Sequence, residues 1–206
     1  LTYRSPEKKE AASIAALLLS AGVEPLYEDF KEFEKAVIKR NYAARFTDGM
    51  TALHVAASKN QLGFVKYLIE QGCPVNAKNS SNSTALHEAV RKGNTACITH
   101  LLKSGADPSI TDAFGNSSLH IVMPKEKRLE TFSTLLSGNT SCNIKDSFGE
   151  TPLHIATRLK YELDVIKLLV AKGASIEEKN KRGETPFHIA VATEQQDVIK
   201  FFASLG

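Results

Sequence analysis

The sequence predicts an all-α protein in which short helical hairpins stack side by side as a solenoid. Three observations predict this fold: a tetrapeptide recurs at a fixed period, a capping residue opens each copy, and a glycine follows 21 or 22 residues after each of the first four copies begins. The chain has 206 residues, of which 42% are hydrophobic and 24% charged, so it can bury a core and is not globally disordered.

The repeated tetrapeptide is the strongest signal in the chain. Its copies begin at Thr51, Thr84, Ser117, Thr151 and Thr185, with spacings of 33, 33, 34 and 34 residues. Each copy continues with Ala, Ser or Pro, then Leu or Phe, then His. A period of this length is typical of repeat proteins, whose units bury their apolar faces only by stacking on each other.

Each copy carries the signals of a helix start. Thr or Ser is a favourable N-cap, and Pro152 and Pro186 occupy the first helical position, where the missing N–H costs nothing. A residue that tolerates positive φ stands two positions before each copy, namely Gly49, Asn82, Gly115, Gly149 and Gly183. A second apolar segment with helical spacing follows, and it ends at Gly72, Gly105, Gly138 and Gly173. Each unit is therefore predicted as a tight turn followed by two short antiparallel helices.

These features resemble the ankyrin repeat family, whose Thr-Pro-Leu-His-x-Ala signature and 33-residue period match the tetrapeptides. Gly105-Ala106-Asp107 and Gly173-Ala174 are also similar to the Gly-Ala-Asp segment that closes a repeat of that family. The resemblance implies a solenoid of helix–turn–helix repeats joined by hairpin-like turns. It covers residues 47–206 and predicts repeats one to five at about 47–79, 80–112, 113–146, 147–180 and 181–206.

Two repeats depart from the pattern. In repeat three, Pro124 stands where the first helix should finish, and the second helix is predicted to start late, around Leu129. Repeat four carries one extra residue near Leu159-Lys160. We therefore expect a longer loop between the two helices in both repeats.

The two ends of the chain lack the full pattern. Residues 14–22 are similar to a second helix with its terminal glycine, and residues 30–38 form another apolar stripe, so we interpret residues 1–46 as a degenerate repeat and a divergent helical N-terminal cap. At the other end, Phe201, Phe202 and Leu205 either pack back on repeat four or contact protein that follows residue 206. Because the first residue is Leu1 rather than Met, we expect an excised fragment or a processed chain.

The sequence argues against an enzyme, a metal site and a cofactor. Packed helices lie about 8–10 Å apart, whereas zinc ligands each lie about 2 Å from one ion, so histidines of neighbouring repeats cannot share a metal. The resemblance implies instead that these histidines bond around the junction of turn and helix; they are His54, His87, His120, His154 and His188. No HExxH pair, P-loop, GxSxG elbow or GxGxxG turn is present.

The cysteines indicate a reducing compartment. Cys73, Cys97 and Cys142 show no CxxC spacing and are interpreted as free thiols. Cys97 lies at an inward-facing apolar position of a second helix, where a thiol is inert. We expect the cytoplasm or another reducing compartment, which would be the host cytoplasm for a bacterial effector.

Two sets of exposed residues are candidates for binding a partner protein. The first is basic and lies at the ends of first helices, on four successive repeats: Lys59, Arg91, Lys92, Lys125, Arg158 and Lys160. Such a ridge suits an acidic surface, although charged side chains also serve simply to keep helix ends soluble. The second set is Phe114 and Phe148, which stand just before a turn glycine in adjacent repeats. Each ring either contacts a partner or lies on the neighbouring turn as a support.

Together these features predict a non-catalytic protein–protein interaction module, serving as a scaffold, adaptor or targeting module. It would bind its partner on a concave face and at the turn tips, and would be monomeric by itself. The alternative is a substrate-recruiting or regulatory ankyrin segment of a larger enzyme or of a secreted bacterial effector. A net charge of +3 without aromatic–basic interleaving argues against nucleic acid as the partner. The longest apolar stretch, residues 14–19, is too short to span a membrane.

Overall fold

A computed structural model describes residues 45, 47–122, 125–138 and 140–205, and it confirms the all-α prediction for them. These residues contain nine α-helices, two 3₁₀ segments (Thr47–Gly49 and Lys125–Lys127) and no strand. The helices are α1 (Ala52–Ser58), α2 (Leu62–Glu70), α3 (Ala85–Lys92), α4 (Thr95–Lys103), α5 (Arg128–Leu135), α6 (Pro152–Arg158), α7 (Leu163–Ala171), α8 (Pro186–Ala192) and α9 (Gln196–Ala203). Within this part of the chain no helix is long and apolar enough to cross a bilayer.

Some predictions fall on residues that the structure does not describe. The degenerate repeat and helical cap proposed for residues 1–46 lie outside the described residues, except for Arg45. Pro124 lies outside them as well.

The predicted N-caps are confirmed at three copies of the tetrapeptide. Thr51, Thr151 and Thr185 have extended backbones and act as N-caps of α1, α6 and α8, and the last two of these helices begin at a proline. The turn residues two positions upstream have φ of 67°, 56°, 79°, 74° and 78° at Gly49, Asn82, Gly115, Gly149 and Gly183. This left-handed conformation is the one that glycine and asparagine tolerate best.

Three of the four predicted C-terminal glycines behave as expected. Gly72, Gly105 and Gly173 adopt φ of 81°, 87° and 91° just after their helices. The prediction is wrong for Gly138, which does not adopt positive φ. Carbonyl groups in the last turns of α4 and α7 accept backbone N–H groups that follow the helix. For example, the N–H of Ala174 donates to the carbonyl of Leu169 at 3.0 Å. In repeat three the Thr140 hydroxyl donates to the carbonyl of Leu135 instead, at 2.7 Å, so no left-handed glycine is needed there.

Where the structure describes repeat three, it contains no first helix, which corrects the prediction of two helices in every repeat. Residues 118–121 form only a turn, closed by a 3.0 Å hydrogen bond from His120 N to Ser117 O. Pro124 disfavours the helical conformation of the residue before it and lacks the N–H that a helix would need. Too few residues then remain for a stable helix. The late second helix is confirmed: α5 begins at Arg128, one residue from the predicted start.

The longer loop of repeat four is also confirmed. Residues 159–162 join α6 to α7, whereas residues 59–61 join α1 to α2. Tyr161 in this loop is buried, like Gln61 at the same position of repeat one, and its hydroxyl donates to the carbonyl of Val122 at 2.7 Å.

The chain divides into two compact units. In the first, which comprises the described residues up to Ala89 together with Ala96–Ala106, α1 packs against α2 and buries Leu53 and Leu68. The second unit comprises Val90–Thr95 and the residues from Asp107 onwards. In it α6 packs on α8, and α7 contacts both α5 and α9, so first and second helices form two layers.

The packing of the aromatic residues in α9 decides between the two alternatives given for Phe201, Phe202 and Leu205. Phe202 is buried, its ring centroid lies 6.4 Å from that of Phe187, and α9 contacts α7 of repeat four. Packing back on repeat four is therefore what is observed. Leu205, at the end of this segment, stays exposed.

Candidate protein-binding surface

Each turn tip from repeat two to repeat five is organised by one Asn or Asp side chain. These residues are Asn79, Asp112, Asp146 and Asn180. At the turn between repeats three and four, Asp146 Oδ1 accepts hydrogen bonds from the backbone N–H groups of Phe148 and Glu150, both at 2.8 Å. The main-chain N–H of Asp146 donates to the carbonyl of Glu150 at 2.9 Å, which closes the turn. Local side chain–backbone bonds of this kind fix turns that helices and strands do not support.

Sequence reasoning missed this set of residues, although a signal for it exists. An Asn or Asp stands three residues before the turn residue at each of these four turns. The positions share the period of the tetrapeptide, so the repeat that revealed the glycines also contained the side chains that hold the turns.

Neighbouring tips are joined by main-chain hydrogen bonds. In the first unit the N–H of Ser80 donates to the carbonyl of Asp48 at 2.8 Å. In the second unit Ser147 N donates to Phe114 O at 2.9 Å, and Lys181 N donates to Phe148 O at 3.0 Å. The tips of repeats three, four and five are therefore held side by side.

This close approach explains why glycine follows each aromatic residue. A Cβ added at Gly115 would lie 2.8 Å from Ser147 N, and one added at Gly149 would lie 3.0 Å from Lys181 N. Real Cβ atoms essentially never approach a backbone nitrogen as closely as 2.8 Å, and a contact of 3.0 Å is tighter than nearly all real ones. These glycines are needed for space as well as for positive φ.

The two predicted aromatic residues project from adjacent tips. Phe114 is 65% exposed and Phe148 is 68% exposed. Their backbones carry the bonds that hold the tips, whereas most of each ring surface faces solvent. Whether these rings contact a partner stays a prediction.

The predicted basic residues lie on the surface at separate repeats. Lys59 is exposed just after α1, Lys125 lies in the second 3₁₀ segment, and Lys160 lies in the loop after α6 with φ of 53°. Arg91 and Lys92 form the exposed last turn of α3.

Arg158 differs from the other basic residues because it is bound to a buried carboxylate. Its Nε lies 3.0 Å from Glu150 Oε1, and its Nη2 bonds to the same oxygen. Hydrogen bonding to Glu150 holds the pKa of the Arg158 guanidinium above its ordinary value. Asn180 Nδ2 donates to Glu150 Oε1 as well, at 3.3 Å. Because a buried carboxylate without partners is costly, Arg158 also stabilises the fold.

Three tetrapeptide histidines, His54, His120 and His154, join their own repeat to the next one. His54 Nδ1 accepts the backbone N–H of Thr51 at 3.1 Å, so we infer that Nε2 carries the proton and donates to the carbonyl of Ser83 at 2.9 Å. His120 and His154 repeat the arrangement, with Nε2 3.1 Å from the carbonyls of Glu150 and Glu184. Burial lowers the pKa of all three imidazoles. In the described residues no three His, Cys, Asp or Glu side chains converge on a potential metal site.

The three cysteines are buried and not activated. Burial raises the pKa of the Cys73 and Cys97 thiols to about 11, and it also raises the pKa of Cys142. The thiolate is the nucleophilic form, so these groups are unreactive near neutral pH. The predicted inward-facing position of Cys97 is confirmed.

Comparison with known proteins identifies the family. The family model described as ankyrin repeats (3 copies) matches residues 9–112 and 119–206. A search of curated proteins finds no match. Ankyrin repeats are generally protein–protein interaction modules without catalytic activity. The match covers most of the chain, and the described residues show its repeated turn, N-cap and histidine, so the chain belongs to the ankyrin repeat family.

Proposed function

We propose that this chain is a non-catalytic recognition module whose second unit binds a partner protein through the turn tips of repeats three, four and five. One observation carries this proposal: Phe114 and Phe148 are about two-thirds exposed on adjacent tips that main-chain hydrogen bonds hold together. Because the backbone of these tips is already fixed, a partner that covers the two rings does not have to order the turns.

The rings are not required for the turns themselves. Asp112 and Asp146 accept the N–H groups of each turn, and the glycines allow the close approach of the tips. Aromatic side chains near the centre of an interface are frequent hot spots, which cost 2 kcal/mol or more when truncated. Contact with a partner is therefore the better explanation for both rings.

The charges beside the rings indicate the chemistry of the partner. The tip of repeat five carries the exposed Arg182 where repeats three and four carry the aromatic residues, and the exposed Lys181 comes just before it. Lys125 and Lys160 add exposed positive charge to the same unit. We propose a partner surface that combines apolar side chains with carboxylates.

The central experiment compares exposed apolar residues at and away from the tips. Phe114→Ser and Phe148→Ser should each weaken partner binding by about 2 kcal/mol, roughly thirtyfold, without lowering the thermal midpoint appreciably. Leu129→Ser is the matched control, since Leu129 is exposed on α5 and not at a tip. Affinity would be measured by pull-down from lysate followed by calorimetry with the captured protein. Equal binding by all variants would refute the tip surface.

The basic residues have their own test. Salt screens the attraction between exposed charges, because the Debye length shortens as ionic strength rises. The affinity should therefore fall when the salt concentration is raised from about 50 to about 500 mM. An affinity that barely changes with salt would exclude the basic residues as the contact, while leaving the aromatic contact in place.

The compartment remains part of the proposal. We place the chain in the cytoplasm or in another reducing compartment, which is supported by three buried cysteines that form no disulfide.

A further inference from the structure

The tip of repeat five differs in charge from the tip beside it. The two positions that hold Ser147 and Phe148 in repeat four hold Lys181 and Arg182 in repeat five, and all four residues are exposed. Repeat four has repeat five packed against it, and its two tip residues are exposed all the same. Exposure at these positions therefore does not depend on where the described chain ends.

Arg182 is held in place by neighbours on its own tip. Its main-chain N–H donates to Asn180 Oδ1 at 2.9 Å, and its Nε lies 3.3 Å from Glu184 Oε2. Asn180 Nδ2 donates to the same carboxylate oxygen at 2.9 Å, which lowers the pKa of Glu184 and keeps this group charged near neutral pH. The Arg182 side chain stays 68% exposed, so N–H groups at the outer end of its guanidinium can meet a ligand.

Lys181 extends beside the aromatic ring of the preceding tip. Its main-chain N–H donates to the carbonyl of Phe148 at 3.0 Å. Its Cγ lies 3.3 Å from the position that a Cβ at Gly149 would take, so the lysine stem crosses the glycine that follows the ring. The ring and the two cations therefore border one stretch of surface. We call Phe148, Lys181 and Arg182 the mixed patch.

The charges around the mixed patch favour a ligand with a single negative charge. Two carboxylates and two guanidinium groups form a network in which the charges balance, and its members are Glu150, Glu184, Arg158 and Arg182. Lys181 forms no ion pair with other described residues and adds one positive charge to this neutral network. A carboxylate matches that charge better than a phosphoryl group, which carries nearly two negative charges.

We propose that the mixed patch determines the specificity of the tip surface, with Arg182 and Lys181 binding one Asp or Glu side chain of the partner beside an apolar residue on Phe148. A guanidinium can hold a carboxylate through two parallel N–H groups, and Lys181 adds a second cation. This inference rests on the proposed function and gives the partner an order. Its apolar residues lie on the tips of repeats three and four, and its acidic residue lies on the tip of repeat five.

The spacing of the tips sets the spacing of the partner residues. Packed helices lie about 8–10 Å apart, and α8 packs on α6, so neighbouring tips are separated by about the same distance. An extended chain advances about 3.3 Å per residue, so about three residues lead from one tip to the next. An extended segment reaches all three tips with about seven residues, whereas a helix would need about fifteen. We therefore expect an extended partner segment.

A displayed library of random peptides tests this order on the full chain. Peptides selected on the parent chain should carry two apolar residues and one acidic residue at the spacing given above. Arg182→Phe gives repeat five the aromatic residue that repeats three and four have at this position, so the tip should stay folded. Selection on Arg182→Phe should lose the acidic preference. Lys200→Ser is the matched control, since Lys200 is an exposed cation on α9 and should not alter the selection.

A double-mutant cycle then measures the contact itself by fluorescence anisotropy. The probe is the best selected peptide, compared with the same peptide in which the acidic residue is replaced by its amide. We expect the amide to weaken binding to the parent chain about fivefold, and binding to Arg182→Phe by less than about twofold. Lys181→Ser, which copies Ser147, should reduce the difference in part.

Two outcomes would overturn this inference and leave the proposed function in place. The first is an acidic preference that is absent, or that is equally strong on Arg182→Phe, among peptides that still need Phe148. The second is a peptide with phosphoserine at the acidic position that binds more tightly than the peptide with the carboxylate, since the ligand would then be a phosphoryl group. If instead no selected peptide is weakened by Phe148→Ser, the tip surface itself is refuted, and this inference with it.

Discussion

Single side chains determine the geometry of the turn tips. Asp112, Asp146 and Asn180 are buried, and each accepts two backbone N–H groups within its own turn. Losing such an acceptor leaves buried donors without partners, which costs about 1–3 kcal/mol. The aromatic residues of the proposed surface are therefore positioned by neighbours that do not themselves face the partner.

Asp146 provides a direct test of this arrangement. Asp146→Ala should lower the free energy of unfolding by about 1–3 kcal/mol, because the N–H groups of Phe148 and Glu150 lose their acceptor. Asp146→Asn should cost much less, since asparagine performs the same role at Asn180. Urea unfolding of the three proteins would measure the difference, and equal losses for Ala and Asn would contradict the model of the turn.

The turn glycines allow two effects of a glycine substitution to be measured separately: the cost of the left-handed conformation and the cost of a steric clash. Gly115 and Gly183 have nearly equal φ of 79° and 78°, but only Gly115 lies against a neighbouring backbone. Gly183→Ala should therefore cost only the left-handed conformation, about 1–2 kcal/mol. Gly115→Ala should cost clearly more, because its Cβ would lie 2.8 Å from Ser147 N. Thermal unfolding would compare the stability of the two variants. An equal loss of stability would show that neighbouring tips can move apart easily.

At the scale of elements, repeat three is the irregular part of the described chain. Its first segment is a single turn, and two buried hydroxyls, Ser118 Oγ and Thr131 Oγ1, have no hydrogen-bond partner among the described residues. Ala or Pro stands at the position of Ser118 in the other repeats. The missing helix and the unpaired hydroxyls both reduce the stability of this repeat.

Thr131 should therefore be a site of easy stabilisation. Thr131→Val keeps the shape of the side chain and removes the unpaired hydroxyl, so the free energy of unfolding should rise by about 1 kcal/mol. Thr157→Val is the matched control, because Thr157 is equally buried but donates to the carbonyl of Leu153 at 2.8 Å. That control should be destabilised. Chemical denaturation would measure both, and a loss of stability in Thr131→Val would contradict the prediction.

The elements were predictable where local chemistry decides them. Thr, Pro and Gly mark the ends of most helices because capping depends on neighbours in sequence. The sequence also showed that Pro124 stands where the first helix of repeat three should finish. Whether the residues before it form a helix depends on a small difference between helix propensity and packing. The contact between Arg158 and Glu150 joins residues whose pairing depends on the folded turn, so a pattern of surface charges did not reveal it.

At the scale of the whole molecule, the repeated histidines make stability depend on pH. His54, His120 and His154 have pKa values below the ordinary 6.5, mainly because burial disfavours the charged imidazole. Between that lowered pKa and 6.5 the unfolded chain binds more protons than the folded chain. Stability is therefore complete above about pH 6.5 and falls as the pH decreases, by up to about 1.4 kcal/mol per pH unit for each histidine.

Urea unfolding at pH 7, 6 and 5 would test this dependence. The free energy of unfolding should decrease steadily across the range, where carboxyl groups of the unfolded chain contribute little. His154→Gln should lower the slope, because one titrating imidazole is gone, even though the variant is less stable at every pH. A stability that is constant from pH 7 to pH 5 would contradict the assigned role of the imidazoles.

The candidate surface was predictable only in part. Sequence alone placed Phe114 and Phe148 beside turn glycines, because the register of a repeat locates every tip. It could not tell exposed rings from supporting ones, since that depends on the direction of each side chain. It also missed two cations at the tip of repeat five: Arg182 stands in the same register as the two rings, and Lys181 comes one residue before it.

The loss of regular structure in repeat three has a mechanical consequence. Repeat proteins pass load only between neighbours, so an array yields at the unit with the fewest internal bonds. If the array is stretched from its two ends, we expect rupture among the described repeats to begin at the segment around Ser118 and Thr131. The remaining repeats would then meet the pulling force one after another and not as a single block.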